Sequence, residues 1–353
     1  MAMDFVYRSS PAEIIFGSHS SEKLSDCMVK LGCRRALVLS TAGQKIRAGL
    51  FTDRLGGFAA GQFSGAVMHT PVPVTEAALH YARQIGADCL VAYGGGSTIG
   101  LGKAIAYRTD LLQIVIPTTY AGSEVTSMLG QTENGLKTTL RSDKVLPEVV
   151  IYDPELTLGL PVSVSVTSGL NAIAHAAEGL YAPDRNPVSS IIAVEGMRKF
   201  AEALPKIVAD PADRAARTIA LCGAWLCGSV LGQVGMSLHH KICHTLGGSF
   251  NLPHAETHSV MLPHTIGFNA AVVPELLAPA AAIFGKPLGR GLQDFSRGLG
   301  APIALRDLGL TEGDLDRAAE LATQNPYANP RPLDRQAIRA MLRRAWAGLT
   351  PEG

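Results

Sequence analysis

The chain is poor in charge, and neither sign dominates. Of its 353 residues, 17% are charged, which is below the ~25% typical of globular proteins. The 31 basic and 30 acidic side chains leave a net charge of +1. A near-neutral chain without basic blocks lacks the electrostatic footprint of a nucleic-acid-binding protein, so we expect no nucleic-acid partner. The low charge also favours extensive burial and an interface between subunits.

Paired cysteines and long apolar runs are absent as well. The six cysteines include no Cys-x-x-Cys pair, so the sequence indicates neither a disulfide scaffold nor a zinc ribbon. The first residues lack the basic start and apolar core of a signal peptide. Apolar runs such as residues 111–116 fall far short of the ~20 residues that cross a bilayer. We therefore expect a cytoplasmic protein without a membrane partner.

Two halves of different character follow one another along the chain. In the first half, short apolar runs alternate with helical stretches, as in parallel strands covered on both faces. The runs are residues 35–40, 89–93 and 112–116. The second half is Ala-rich with helical spacing, at residues 169–182, 188–204 and 212–234. We predict a Rossmann-like α/β domain with a parallel sheet over residues 1–155 and an all-helical domain over residues 156–353.

Two loops after predicted strands carry the residue types of a phosphate-binding site. Gly94-Gly95-Gly96-Ser97 opens a helix, where glycines allow close approach and free amides favour an anion. Ser97 either caps this helix or donates its hydroxyl to the same anion. Thr118 and Thr119 follow the next strand, and ligands bind beyond the carboxyl ends of parallel strands. Both loops are predicted to bind a nucleotide, with tight structural turns as the alternative.

Histidines cluster in the second half. Six of the ten lie between residues 239 and 264. His240 and His244 are four residues apart and share a helix face, and His254 follows His240 by 14 residues. Asn171 and His175 have the same four-residue spacing on an earlier predicted helix. A lone histidine is usually a core residue, but several with matched spacings favour a site. We expect the two glycines at 247–248 to end the helix of His240.

Together these motifs resemble the iron-containing (group III) alcohol dehydrogenase family. The metal-site pattern of that family is Asp-x-x-x-His, then His-x-x-x-His, then a histidine 14 residues after the first of that pair. Residues 94–97, 117–126 and 153–158 are similar to its nucleotide-binding and inter-domain segments. The resemblance covers essentially the whole chain. It implies a dehydroquinate synthase-like two-domain architecture, NAD(H) or NADP(H) as cofactor, and a homodimer.

Several stretches resemble the maleylacetate reductase branch of this family. They are residues 94–104, 239–248, 253–258 and 325–332. The resemblance implies reduction of the carbon–carbon double bond of maleylacetate, a small dicarboxylate, to 3-oxoadipate during breakdown of aromatic compounds. The alternative is a metal-dependent dehydrogenase of small alcohols or aldehydes. A synthase of the dehydroquinate type would need a metal and a basic phosphate cluster, and a non-catalytic nucleotide-binding module would leave the histidine cluster without a role.

Two positions depart from the family pattern. Asn171 stands where the family has its metal-binding aspartate, so the only anionic ligand is lost. We expect that no metal is required, and that His175, His240 and His254 hold a metal if one binds. Thr41 ends the first predicted strand, where the family often has an acid that bonds the ribose and repels a 2′-phosphate, so we expect use of both NADH and NADPH. The cofactor-binding candidates are Thr41, Gly94, Gly95, Gly96, Ser97, Thr118, Thr119 and Lys137.

The expected catalytic side chains all belong to the helical half. In the implied reaction an enolate develops, which imidazoles can stabilise by hydrogen bonds before the α-carbon is protonated. The candidates, unranked, are Asn171, His175, His240, His244 and His254. Lys241, His258 and Arg331 are candidates for binding the substrate carboxylates. The alternatives are a solvated helix flank for Lys241 and a structural ion pair for Arg331.

Overall fold

The structure, a computed structural model, describes residues 5, 7, 12–133 and 136–352. The chain divides into two compact units, one ending at Leu160 and the other starting at Pro161. Phe5 and Tyr7 group with the second unit, although the sequence placed them in the first. The division also falls later than the expected position after residue 155. A 3₁₀ helix, Pro154–Thr157, extends the first unit beyond its last strand.

Asp153 explains why this segment stays with the first unit. Its carboxylate accepts hydrogen bonds from the backbone N–H groups of His19 and Ser21, each at 3.1 Å. It also accepts from the N–H of Glu155 and so caps the 3₁₀ helix. The side chain is buried, so these bonds hold the segment after the last strand to the start of the unit.

A six-stranded parallel sheet forms the centre of the first unit. Its strands are β1 (Glu13–Phe16), β2 (Ala36–Thr41), β3 (Ala59–Ala66), β4 (Cys89–Gly94), β5 (Leu112–Pro117) and β8 (Val149–Tyr152). The order across the sheet is β1-β8-β5-β4-β2-β3, and all neighbours are parallel. The chain moves outward from β2 to β3, returns to β4, and continues the other way through β5 and β8. The order therefore reverses between β2 and β4, which is where ligands bind in open α/β sheets.

Helices cover both faces of this sheet. They are α1 (Leu24–Lys30), α2 (Lys45–Leu55), α3 (Val72–Gln84) and α4 (Gly96–Thr109). On β4, Val91 and Tyr93 pack against α1 and α2, whereas Leu90 packs against α3 and α4. Burial on both faces is the reason that the central strands read as continuous apolar runs. An antiparallel pair, β6 (Met128–Glu133) and β7 (Leu136–Arg141), was not predicted.

The second unit is helical, as predicted. Its helices are α5 (Val162–Gly179), α6 (Pro187–Ala209), α7 (Arg214–Gln233), α8 (Leu238–Phe250), α9 (His254–Ala270), α10 (Pro274–Phe284), α11 (Leu288–Gly298), α12 (Leu315–Thr323) and α13 (Arg335–Ala347). The prediction that glycines 247–248 end α8 is wrong. Leu246 and Phe250 pack into a core shared with α9, α12 and α13, and this packing outweighs the low helix propensity of glycine. The helix continues to Phe250, and its C-cap is Asn251, whose φ is 55°.

Helix α7 is long and apolar enough to cross a membrane by length and composition alone. However, 56% of its most apolar window is buried inside the protein, where it packs on α5 and α6. The side chain of Arg217 on this helix is fully buried and donates to Ser165 Oγ at 2.7 Å. Such surroundings are those of a core helix in a helical bundle.

Candidate active site

The predicted phosphate loop lies where the strand order of the sheet reverses, and α4 begins directly after it. Gly94 has a φ of 152°, and a Cβ there would lie 2.5 Å from Thr98 Oγ1 and 2.8 Å from Gln44 Oε1. A Cβ on Gly95 would lie 2.7 Å from Thr119 Cγ2. Both positions therefore require glycine for the packing of the loop itself. Gly95 is the N-cap of α4 and supplies no side-chain cap, which suits a phosphate at this helix end.

Hydrogen bonds connect this loop to the ends of the neighbouring strands. The N–H of Thr118 donates to the carbonyl of Gly94 at 3.0 Å, and Gln44 Nε2 donates to Thr118 Oγ1 at 3.1 Å. Gln44 follows Thr41, the last residue of β2. The structure thus brings the predicted cofactor residues at the ends of β2, β4 and β5 to one edge of the sheet.

Ser97 and Lys137 differ from the other cofactor candidates in their placement. Ser97 lies inside the first turn of α4 and is not its N-cap, so the capping role considered for it is wrong. The backbone of Lys137 pairs with Thr132 in the β6–β7 ladder. The side chain of Lys137 lies outside the described part of the chain.

Helix α5 buries a row of polar side chains. Asn171, His175 and Glu178 follow one another at helical spacing and are 4%, 3% and 0% exposed. Burying polar groups costs free energy unless they are paired. Asn171 Oδ1 and His175 Nδ1 nevertheless have no hydrogen-bond partner. Burial, followed by the neighbouring imidazoles, lowers the pKa of His175 well below its ordinary value. Unpaired buried groups of this kind are typical of a binding site.

Glu178, which is not among the site residues predicted from the sequence, organises the start of α8. Its Oε2 accepts from the N–H of Ser237 at 2.9 Å and from Nδ1 of His240 at 2.6 Å. Its Oε1 accepts from the N–H of His239 at 2.7 Å. The first N–H groups of a helix lack partners within it, so a carboxylate at this end satisfies them and interacts favourably with the helix dipole. The available sequence signal was its spacing of three residues from His175.

The contact with Glu178 fixes the ring of His240. An ionised carboxylate only accepts hydrogen bonds, so Nδ1 of His240 carries a proton. The opposite ring atom, Nε2, is buried and has no partner. Ring centroids lie 5.0 Å from His175 and 5.1 Å from His258. His240 therefore presents one free ring nitrogen within a cluster of imidazoles.

A second chain of hydrogen bonds fixes His258. Thr265 Oγ1 donates to the carbonyl of Met261 at 2.9 Å, so it accepts from Nδ1 of His239 at 2.8 Å. Nε2 of His239 then has no proton and accepts from Nδ1 of His258 at 2.9 Å. Nε2 of His258 is left as a buried, unpartnered acceptor. Burial and the neighbouring imidazoles lower the pKa of both rings well below the ordinary value, in keeping with neutral forms. A carboxylate requires a donor, so this geometry disfavours the carboxylate contact expected of His258.

The remaining histidine and lysine candidates are half-buried. Nδ1 of His244 lies 3.2 Å from the hydroxyl of Tyr327, and the His254 ring lies 4.3 Å from that of His258. Nζ of Lys241 lies 5.9 Å from the Tyr327 ring. Tyr327 is not among the site residues predicted from the sequence, although it lies in residues 325–332, one of the stretches that carry the resemblance.

Arg331 takes part in the packing of the helical unit. Its guanidinium lies 3.8 Å from the Phe268 ring and donates to the Phe268 carbonyl at 3.1 Å. Arg331 therefore has a structural role, as the alternative to a substrate contact proposed. Its partners are an aromatic ring and a carbonyl, and not the acid of the expected ion pair. Its loop is held by a reciprocal amide pair between Asn329 and Asn269, at 2.8 and 2.9 Å.

The donor atoms around the cluster do not fit an iron site with an anionic ligand. The unpartnered buried atoms are Asn171 Oδ1, His175 Nδ1, His240 Nε2 and His258 Nε2, and none is anionic. Both oxygens of Glu178 are occupied by N–H donors. Within the described residues, two groups have three ligand atoms within 4.8 Å of one another: His239-Cys243-His258 and Cys33-Asp88-Cys89. The three histidines predicted to hold a metal if one binds, His175, His240 and His254, do not form one of these two groups.

Neither of those two groups has its ligand atoms in the form that metal binding requires. In the first, His239 and His258 are hydrogen-bonded to each other, and burial raises the pKa of the Cys243 thiol well above its ordinary value. Metal ligation requires the thiolate. In the second, the Asp88 carboxylate accepts the N–H groups of Arg34 and Arg35, each at 2.8 Å.

Comparisons with known proteins agree with this architecture. The family described as iron-containing alcohol dehydrogenase matches residues 11–154, and its C-terminal counterpart matches residues 165–346. The maleylacetate reductase of Rhizobium sp. (strain MTP-10005) is 62% identical over 348 residues, which is 99% of each chain. That of Sphingobium indicum is 52% identical over 350 residues, again 99% of each chain. The crystal structure of maleylacetate reductase from Agrobacterium tumefaciens has a TM-score of 0.97 at 61% identity, covering 99% of this chain and 100% of that one.

Proposed function

The chain belongs to the iron-containing alcohol dehydrogenase family, and we propose that it reduces the carbon–carbon double bond of maleylacetate with NADH or NADPH, giving 3-oxoadipate. The observation that carries the proposal is the buried pair of Glu178 and His240, beside which His175 and His258 keep buried ring nitrogens without a partner. Relatives at 62% and 52% identity that bear this name support it. A cytoplasmic homodimer serving the breakdown of aromatic compounds is part of the same proposal.

The substrate chemistry suits a site without an anionic metal ligand. The alkene of maleylacetate is conjugated to a ketone. When bound, the reduced nicotinamide supplies a hydride to the alkene carbon β to that ketone. The alkene electron pair then moves to the ketone oxygen as an enolate, and a proton added to the α-carbon completes the reduction. Preorganised hydrogen-bond donors can stabilise such an oxyanion in a site that excludes water.

In this proposal His240 is the donor to the enolate. Its Nδ1–H is held by Glu178 at 2.6 Å, so Nε2 is the ring atom left to meet the substrate. The buried carboxylate orients the ring and stabilises positive charge that develops on it, as in other carboxylate–imidazole pairs. Protonated at Nε2, His240 donates to the enolate oxygen or delivers a proton to the α-carbon. Half-buried Lys241 is proposed to pair with one substrate carboxylate.

The nucleotide is proposed to bind at the edge of the sheet where the strand order reverses. Gly94 to Ser97 would hold the pyrophosphate against the start of α4, with Thr118 and Thr119 beside it. Gly95 leaves the N-terminus of α4 without a side-chain cap, which supports this role. Thr41 at the end of β2 is uncharged and would not repel a 2′-phosphate.

Nucleotide oxidation followed at 340 nm tests the proposal directly. Maleylacetate is compared with a panel of small aldehydes, and reverse reactions are run with small alcohols. We expect rapid turnover of maleylacetate alone, with kcat/KM values for NADH and NADPH within about 100-fold, or ~2.7 kcal/mol. Turnover of aldehydes or alcohols without turnover of maleylacetate would favour the dehydrogenase alternative. Strict preference for NADH would show that another group repels the 2′-phosphate.

Metal dependence gives an independent test. We expect activity to survive exhaustive treatment with EDTA, because both oxygens of Glu178 already accept N–H groups and Asn171 carries no charge. Asn171→Asp should bind divalent metal more tightly than the parent, since it restores a charged ligand. Asn251→Asp adds the same charge at an exposed position and should leave metal affinity unchanged. Stoichiometric iron or zinc in the parent, with activity lost on chelation and restored by the metal, would contradict the metal-free reaction.

A further inference from the structure

Lys103, on α4, is a fully buried cation that the proposed reaction does not use. Its side chain is 1% exposed. Nζ donates to the carbonyls of Ser123, Thr126 and Met128 at 2.5, 2.6 and 3.0 Å, and to Thr126 Oγ1 at 2.9 Å. Four oxygens thus surround an ammonium that has three N–H donors. Three main-chain carbonyls and a hydroxyl are the ligands of a small internal cation site, which the ammonium fills.

Glu124 supplies the neighbouring negative charge. It is 0% exposed, and its Oε1 accepts from the hydroxyl of Tyr152 at 2.9 Å. Burial lowers the pKa of Lys103 to about 7, and the charge of Glu124 opposes that shift. Burial also raises the pKa of Glu124. A buried pair gains little net stability from its attraction because desolvation is costly. The contribution of Lys103 and Glu124 is instead to fix one arrangement of residues 123–128, which Lys103 binds.

The segment that binds Lys103 is continuous with the threonine loop of the nucleotide site. After Thr118 and Thr119 the chain passes through the 3₁₀ helix Ser123–Val125 and enters β6 at Met128. Lys103 belongs to α4, which starts at the glycine loop. The ammonium therefore joins the helix of one nucleotide-binding loop to the segment that follows the other. At the opposite end, the same two loops are joined by the N–H of Thr118 and the carbonyl of Gly94.

We propose that Lys103 is a positioning residue for nucleotide binding, whose ammonium occupies an internal cation site and so holds Thr118 and Thr119 against the glycine loop. The inference rests on the proposed nucleotide-binding role of these loops. Without the ammonium, three main-chain carbonyls lose a donor and the segment after Thr119 is free to move. Nucleotide affinity should fall first, because Lys103 is proposed to act through the loops and not on the substrate.

Lys103→Met tests this, since it removes the charge and all donors but keeps an unbranched side chain. We expect Kd for NADH, measured by fluorescence titration, to rise about 10-fold or more, the scale of lost hydrogen bonds to a charged group. KM for NADH should rise in parallel, while kcat at saturating NADH stays close to the parent value. Lys144→Met is the matched control, because Lys144 is half exposed and pairs with Asp110 at 2.8 Å. The control should bind NADH like the parent.

Chemical rescue addresses the cation site itself. Lys103→Ala leaves the four oxygens and a space, and propylammonium chloride should restore part of its NADH affinity. Sodium chloride at equal ionic strength should not. No improvement with the amine, in a variant that circular dichroism shows to be folded, would overturn the internal cation site.

If the lysine variants do not fold, Thr126→Val provides a milder test. It removes the hydroxyl that Lys103 contacts, which also bonds the Ser123 carbonyl and the Met128 N–H within the same segment. We expect a smaller but measurable rise in Kd for NADH. Parent-like affinity in a folded Lys103→Met, or in Thr126→Val when the former does not fold, overturns the inference. A parent protein that binds neither NADH nor NADPH would instead overturn the proposed function.

Discussion

Replacing Glu178 by glutamine is expected to lower kcat/KM for maleylacetate about 100-fold or more, the scale of losing an acid or an oxyanion partner. The carboxylate accepts the N–H groups of Ser237 and His239 and the Nδ1–H of His240. In either orientation of the glutamine amide, its NH₂ group faces at least one of these N–H donors. The ring of His240 then loses its orientation or its tautomer, and the charge that stabilises its protonated form disappears.

His240→Ala should cost about as much, and the double variant with Glu178→Gln should cost little more. Residues that act as one unit give strongly non-additive losses. Glu202→Gln is the matched control, because Glu202 is exposed and pairs with Lys206 on the surface of α6. Melting curves are measured in parallel, since a buried donor left unpaired costs about 1–3 kcal/mol of stability. Parent-like kcat/KM in Glu178→Gln would contradict the proposed role of the pair.

The sequence predicted the architecture well because burial leaves a direct trace in it. Strands β2, β4 and β5 are buried on both faces and therefore read as apolar runs. The β6–β7 pair was not predicted because its strands are largely polar and contain no apolar run that would indicate them. The continuation of α8 through glycines 247–248 was not predicted either. It depends on the packing of Leu246 and Phe250 and not on local helix propensity.

The candidate site was predicted in its parts but not in its connections. His175 and His240 have helical spacing to other polar residues, which a sequence can show. The partners that fix their chemistry lie far away in the chain: Glu178 is 62 residues from His240, and Thr265 is 26 residues from His239. No periodicity reports such contacts. An acid at the end of a helix is typical of a solvent-exposed position, so the sequence does not indicate Glu178 as a site residue. In the fold, its carboxylate satisfies the first N–H groups of another helix.

Gly95→Val is expected to weaken NADH binding about 100-fold or more, equivalent to ~2.7 kcal/mol. The first atom of the new side chain would lie 2.7 Å from Thr119 Cγ2 and 2.9 Å from Thr119 Oγ1, so the threonine loop must move. The branched side chain would also occupy the approach to the N-terminus of α4, where close contact between backbone and phosphate needs glycine. Gly57→Val is the matched control, because a Cβ there meets nothing within 4 Å. Both variants are compared with the parent by calorimetric titration with NADH and by thermal melting. Unchanged affinity in Gly95→Val, with a melting curve like that of the parent, would remove residues 94–97 from the nucleotide site.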